Sequence, residues 1–73
     1  MSGYAVIIEG EGNSYSAYAP DLPGCVAAGS SVVEVDRLIR EAIGLHIASL
    51  REHGEPVPLP TAVGTTVVEV SSP

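Results

Sequence analysis

The sequence has no tryptophan and no phenylalanine, and its aromatic content is three tyrosines: Tyr4, Tyr15 and Tyr18. A core must therefore come from Val, Ile, Leu and Ala, which bury less area per residue than large rings. With 73 residues the chain reads as one domain over 1–73. At that size only about 60–65% of the unfolded surface leaves the water. A small core without large rings predicts self-association or a stabilising partner. Basic residues are also scarce. Arg37, Arg40 and Arg51 face nine acids, lysine is absent, and the formal net charge is −6. Gripping phosphates takes several Lys or Arg aligned on one surface, so direct nucleic-acid binding is not expected. A basic protein partner is, because opposite charge speeds encounter and rejects wrong partners. The one cysteine, Cys25, excludes an internal disulfide, and a reducing cytoplasm is the simplest compartment. No apolar run approaches the roughly 20 residues of a membrane span, and no basic-then-apolar signal opens the chain. No membrane partner is expected.

What is present is short and well punctuated. Residues 4–9 (Tyr-Ala-Val-Ile-Ile-Glu) read as a first strand, and Gly10–Ser14 as hairpin loop chemistry. Residues 15–19 read as a second strand. Pro20-Asp-Leu-Pro-Gly24 then forms a turn, because its two prolines lack backbone donors. Residues 25–29 form a short third strand. Ser31 and Glu34 have capping-box spacing, each side chain satisfying the other's free N–H. A helix over 32–53 follows, with Gly54 as its left-handed cap and Pro56 as a stop. At 100° per residue, Val32, Val35, Leu38, Ile39, Ala42, Ile43, Ile47 and Leu50 share one broad face. Pro56-Val-Pro-Leu-Pro60 favours an extended strap. Residues 65–70 (Thr-Thr-Val-Val-Glu-Val) read as a last strand, with Ser71–Pro73 as a loose tail. The expected class is α+β, a two-layer β-β-β-α-β sandwich. A crossover helix normally joins parallel strands, so strand four should lie beside strand one in a four-stranded sheet of order 3-2-1-4. One helix covers one face of such a sheet. The other face keeps apolar groups that a lone soluble domain tends to avoid in one patch.

The hairpin ending in Tyr18-Ala-Pro-Asp-Leu-Pro-Gly-Cys25, then Gly29, a capped helix and Gly54-Glu-Pro-Val-Pro58, resembles the HicB antitoxin family. The resemblance covers about Tyr4 to Val70. It implies a partial RNase H-like fold and a partner, a small basic HicA-type toxin that cleaves RNA. It implies an antitoxin that binds and blocks, not an enzyme, and no cofactor. Many relatives carry a further DNA-binding module after this domain. The 73 residues contain none, so operator binding by this chain is not expected. A stand-alone homo-oligomeric domain of the same family, serving as a structural or ligand-binding module, is the alternative reading.

Candidate sites follow from the residues. Two-metal phosphodiester cleavage needs several carboxylates converging within about 4 Å of paired ions. Glu9, Asp21, Asp36, Glu41 and Glu69 are spread over separate elements, so neither a metal site nor catalysis is expected. Cys25 reads as a small buried hydrophobe. His46 falls inside the apolar stripe, either as a core or rim side chain or as a partner contact. In the 20–24 turn, Asp21 can accept backbone N–H groups while the prolines restrict the unfolded chain. The same turn can also touch the toxin. A helix of 22 residues is about 33 Å long against about 17–20 Å for such strands, so its end should overhang. Partner contact is accordingly expected at Asp21, Leu22, Pro23, His46, Ile47 and Leu50. Gly24, Cys25, Ser31, Glu34 and Gly54 are expected to be structural, and the assembly a homodimer or larger.

Overall fold

Three strands and one helix follow one another: β1 (Ile7–Glu11), β2 (Ser14–Tyr18), β3 (Val26–Gly29) and α1 (Val32–Glu52). The computed structural model describes residues 3–71, so the expected tail at 72–73 lies outside the described residues. β1 and β2 pair antiparallel from Ile7↔Tyr18 to Glu11↔Ser14, leaving Gly12 and Asn13 as the hairpin loop. Gly12 takes φ +63 and Asn13 stays at negative φ, the pattern of a type II′ turn whose twist suits the flanking strands. The first strand thus lies later than expected, over 7–11 instead of 4–9. The reason is in its neighbour: Ala19 gives its N–H to the Cys25 carbonyl (3.3 Å), and Pro20 has none to give, so Tyr4–Val6 find no ladder. The strand also continues through Gly10, at φ +142. A Cβ there would run into the Ser14 carbonyl oxygen and the Tyr15 backbone.

β2 pairs with β3 from Tyr15↔Gly29 to Tyr18↔Val26. The intervening turn is closed by Leu22 N–H to the Ala19 carbonyl and Cys25 N–H to the Leu22 carbonyl, both 3.0 Å. Gly24 supplies the positive φ, +85. At the helix start, Ser31 is the N-cap and its Oγ accepts the Glu34 N–H at 3.1 Å. The reciprocal bond differs from the expected capping box. The Glu34 carboxylate reaches one residue further back, accepting from the Ser30 N–H (2.6 Å) and Ser30 Oγ (3.2 Å). Those two bonds hold its pKa below the usual carboxylate value. At the other end His53 is the cap, not the last helical residue. Gly54 at φ +69 donates to the Arg51 carbonyl (3.2 Å) and Glu55 to the Leu50 carbonyl (2.8 Å). These two bonds are the Schellman pair that satisfies the last carbonyls.

The core is Ala17, Ala19, Leu22, Cys25, Val35 and Ile39, with Tyr4, Val6, Tyr15, Ala27, Ala42 and Ile43 packed around it. α1 lies mainly over β2 and β3 and only lightly over β1. The α+β class and the helix on one sheet face are as expected. The sheet is not. It has three strands in the order β1-β2-β3, and among the described residues no fourth ladder forms. Residues 65–70 pair with nothing, and Val67, Val68 and Val70 are 92%, 74% and 81% exposed. Strand propensity alone forms no strand; a free edge must be reached. The radius of gyration is 14.0 Å, against about 11 Å for a compact chain of this length.

Candidate functional site

The Pro20–Gly24 turn does more than reverse the chain. Its Asp21 carboxylate accepts three hydrogen bonds from the far end of the sequence: Thr61 Oγ1 at 2.7 Å, Thr61 N–H at 2.9 Å and Ala62 N–H at 3.0 Å. With the Tyr4 hydroxyl donating to the Pro58 carbonyl, this ties the proline strap across the start of β1. The Thr61 hydroxyl bond, then the two amides, hold the Asp21 pKa below its ordinary 3.8. A depressed carboxylate contributes its tether above the unfolded pKa and loses it as pH falls through the lower folded value. The Thr61 and Ala62 amide resonances should therefore titrate below pH 3.8. In Asp21→Ala, which removes both acceptor oxygens, amide exchange at Thr61 and Ala62 should rise while core amides such as that of Ile39 stay protected. Equal protection in both proteins would count against the tether.

Of the residues expected to meet a partner, Leu22 is placed otherwise. It is 0% exposed at the centre of the core, and packing holds it there because the turn's backbone bonds aim it under α1. Asp21 is committed to Thr61 and Ala62. Pro20, Pro23 and Gly24 are the exposed members of the turn. His46, Ile47 and Leu50 are half-buried near the end of α1, outside the core cluster. Cys25 is buried, and burial pushes its thiol pKa up, away from the thiolate a nucleophile needs. Among the described residues no three His, Cys, Asp or Glu side chains converge as metal ligands.

The strand registers give residues to the uncovered sheet face that the sequence predicts, residues that reading along the chain had not assigned. Directly paired residues share a face, so Ile7, Tyr18 and Val26 form one row across the sheet side away from α1. Tyr18 is 40% exposed and Val26 65%. Glu9, Ser16 and Ala28 form the next row, and Glu11 with Ser14 the last. This face holds two acids and no base. Its apolar row stands at the end from which the Pro20–Gly24 turn leaves, since Tyr18 and Val26 flank that turn in sequence. The alternation of β2 was the available signal: with Tyr15 and Ala17 inward, Tyr18 must face outward.

Comparison with known proteins gives this face a context. Residues 4–71 match the family described as the HicB-like antitoxin of bacterial toxin–antitoxin systems. The chain is 40% identical over 65 residues to a UPF0150 protein of Thermoplasma acidophilum, covering 88% of this chain and 94% of that one. It is 36% identical over 55 residues to a 14.9 kDa protein from the rep-hol intergenic region of Haemophilus phage HP1, covering 75% of this chain but only 41% of the phage protein. A UPF0150 protein of Helicobacter pylori is 46% identical over 44 residues, or 60% of this chain and 61% of that one.

Proposed function

The chain belongs to the HicB-like antitoxin family of bacterial toxin–antitoxin systems, and from that membership we propose that it neutralises a small basic toxin of the HicA type by covering its RNA-cleaving site. The observation that carries the proposal is the open sheet face. An apolar row of Ile7, Tyr18 and Val26 lies beside Glu9 and Glu11, on a chain of net charge −6. Apolar anchors with a tyrosine among them hold a partner, and the surrounding acids steer a basic one. Pro20 and Pro23 extend this surface. The end of α1, with His46, Ile47 and Leu50 beside Glu52 and Glu55, is the second region the reading assigns to the toxin. The work is binding, not catalysis, in the cytoplasm. The four-stranded RNase H-like sandwich belongs to the same reading, with 65–70 completing the sheet beside β1 in a homo-oligomer.

Co-expression with the adjacent reading frame tests the proposal. A basic chain of about 60–80 residues should co-purify, and raised salt should slow its association because exposed charges more than about 8–10 Å apart are screened. An adjacent basic chain that never co-purifies, with both proteins folded, would leave the stand-alone reading, which the exposed 65–70 segment favours.

A further inference from the structure

Among the described residues β1 has a neighbour on one side only, and its outer edge presents N–H and C=O groups that no described strand pairs. Because α1 leans toward β2 and β3, a groove of about 470 Å³ opens between that edge and the helix. Val6 and Ile8 wall it on the strand side, Ile39 and Ile43 on the helix side. The Arg40–Asp36 ion pair, 2.8 Å, stands at its rim. An apolar groove beside a free edge is the seat of an added strand: main-chain bonds give affinity and alternate side chains fill the groove.

The same sequence contains a segment of matching make. Thr65–Val70 would span about 20 Å as a strand, against about 17 Å for β1. Five of its six residues are β-branched, and alternation places Thr66, Val68 and Val70 on one side. Glu69 is its one charge, so docking it on another acidic copy brings little repulsion. In this chain the segment is not seated. Asp21 pins Thr61 and Ala62 at the start of β1, and from Gly64 onward every described residue is exposed. The long axis of 47 Å exceeds the roughly 32 Å of α1. An unfilled seat and an unseated strand on one molecule are the two halves of an exchanged contact.

Resting on the four-stranded arrangement proposed above, we infer that the fourth strand is supplied by a second copy: Thr65–Val70 of each chain enters the β1–α1 groove of the other, in a two-fold dimer. The sheet edge and groove are used by this contact, and the open sheet face stays free for the toxin.

The test uses full-length protein. Light scattering should give twice the 7.5 kDa chain mass; a monomer at high micromolar concentration overturns the inference. Copies carrying Ile8→Cys are then mixed with copies carrying Thr66→Cys, Val67→Cys or Val68→Cys in turn, and mildly oxidised. At least one mixture should give a covalent heterodimer whose joined peptides map to β1 and the 65–70 segment. Cys25 is buried and should not react. A chain carrying both substitutions that closes on itself as a monomer would mean the segment serves its own sheet, overturning the exchange. Val68→Asp with Val70→Asp should weaken the dimer at least about tenfold while the helical circular dichroism signal of α1 is retained, since neither valine is in the core of the single chain. A dimer unaffected by that pair also overturns the inference. Toxin binding is scored separately: a cross-linked dimer that ignores the toxin removes the antitoxin reading alone, and a monomer that neutralises removes the exchange alone.

Discussion

Leu22→Ala should destabilise the domain by about 2–5 kcal/mol, the range for truncating a fully buried leucine into a site that cannot collapse. Leu22 is 0% exposed and sits in a tight turn, with its own N–H and C=O bonded to Ala19 and Cys25. The backbone cannot follow the missing atoms inward, which places the cost high in that range. The whole domain has about 4–11 kcal/mol of stability at typical values per residue. One leucine therefore carries a large share. Urea unfolding should show a lower midpoint at unchanged slope, because the surface exposed on unfolding is nearly the same. Pro23→Ala in the same turn should move the midpoint little, since Pro23 is exposed. A Leu22→Ala loss below about 1 kcal/mol would contradict the burial.

The second large effect is functional. Replacing Tyr18 and Val26 together by glutamate should abolish toxin neutralisation without unfolding the domain. Both side chains face away from α1 and neither belongs to the core cluster. Aromatic anchors at interface centres are worth about 2–4 kcal/mol each, or roughly 30- to 1,000-fold in affinity. Circular dichroism and a urea midpoint should accompany the growth assay, so that loss of binding is separated from loss of fold. Ile47→Asp with Leu50→Asp asks the same question of the helix end. A folded Tyr18/Val26 variant that still rescues growth, beside a folded Ile47/Leu50 variant that does not, would place the toxin contact on the helix end.

How much of this was legible in the residues differs by element. The helix was readable almost to its ends, because its caps are local chemistry: Ser31, Gly54 and the 3.6-residue apolar stripe need no knowledge of the fold. The strand bounds were less so. β1 begins where its partner can bond it, and that was decided by Pro20 and the Ala19–Cys25 bond on the other strand. Asp21 was readable as an acceptor of backbone N–H groups but not as a tether to Thr61, because 40 residues separate them and no local pattern encodes that contact. Leu22 looked like a surface turn residue because turns usually are surface. Its burial follows from the direction the turn gives it. The Ile7–Tyr18–Val26 row required the register, and a slip of one residue would have turned each of these side chains to the opposite face. The 65–70 segment has the composition of a strand, but a strand is a relation between two edges, and composition specifies only one of them.

The central claim is that this chain silences a basic RNA-cleaving toxin by occupying it, and inhibition of cleavage by the purified partners tests it most directly. Titrating the chain into the toxin on a labelled RNA should bring cleavage to zero near one antitoxin domain per toxin. The inhibited complex should re-release activity at high salt, as an acid-rimmed contact with a basic protein requires. Undiminished cleavage by an RNA-cleaving basic protein from the adjacent reading frame, in the presence of excess folded chain, would contradict the account.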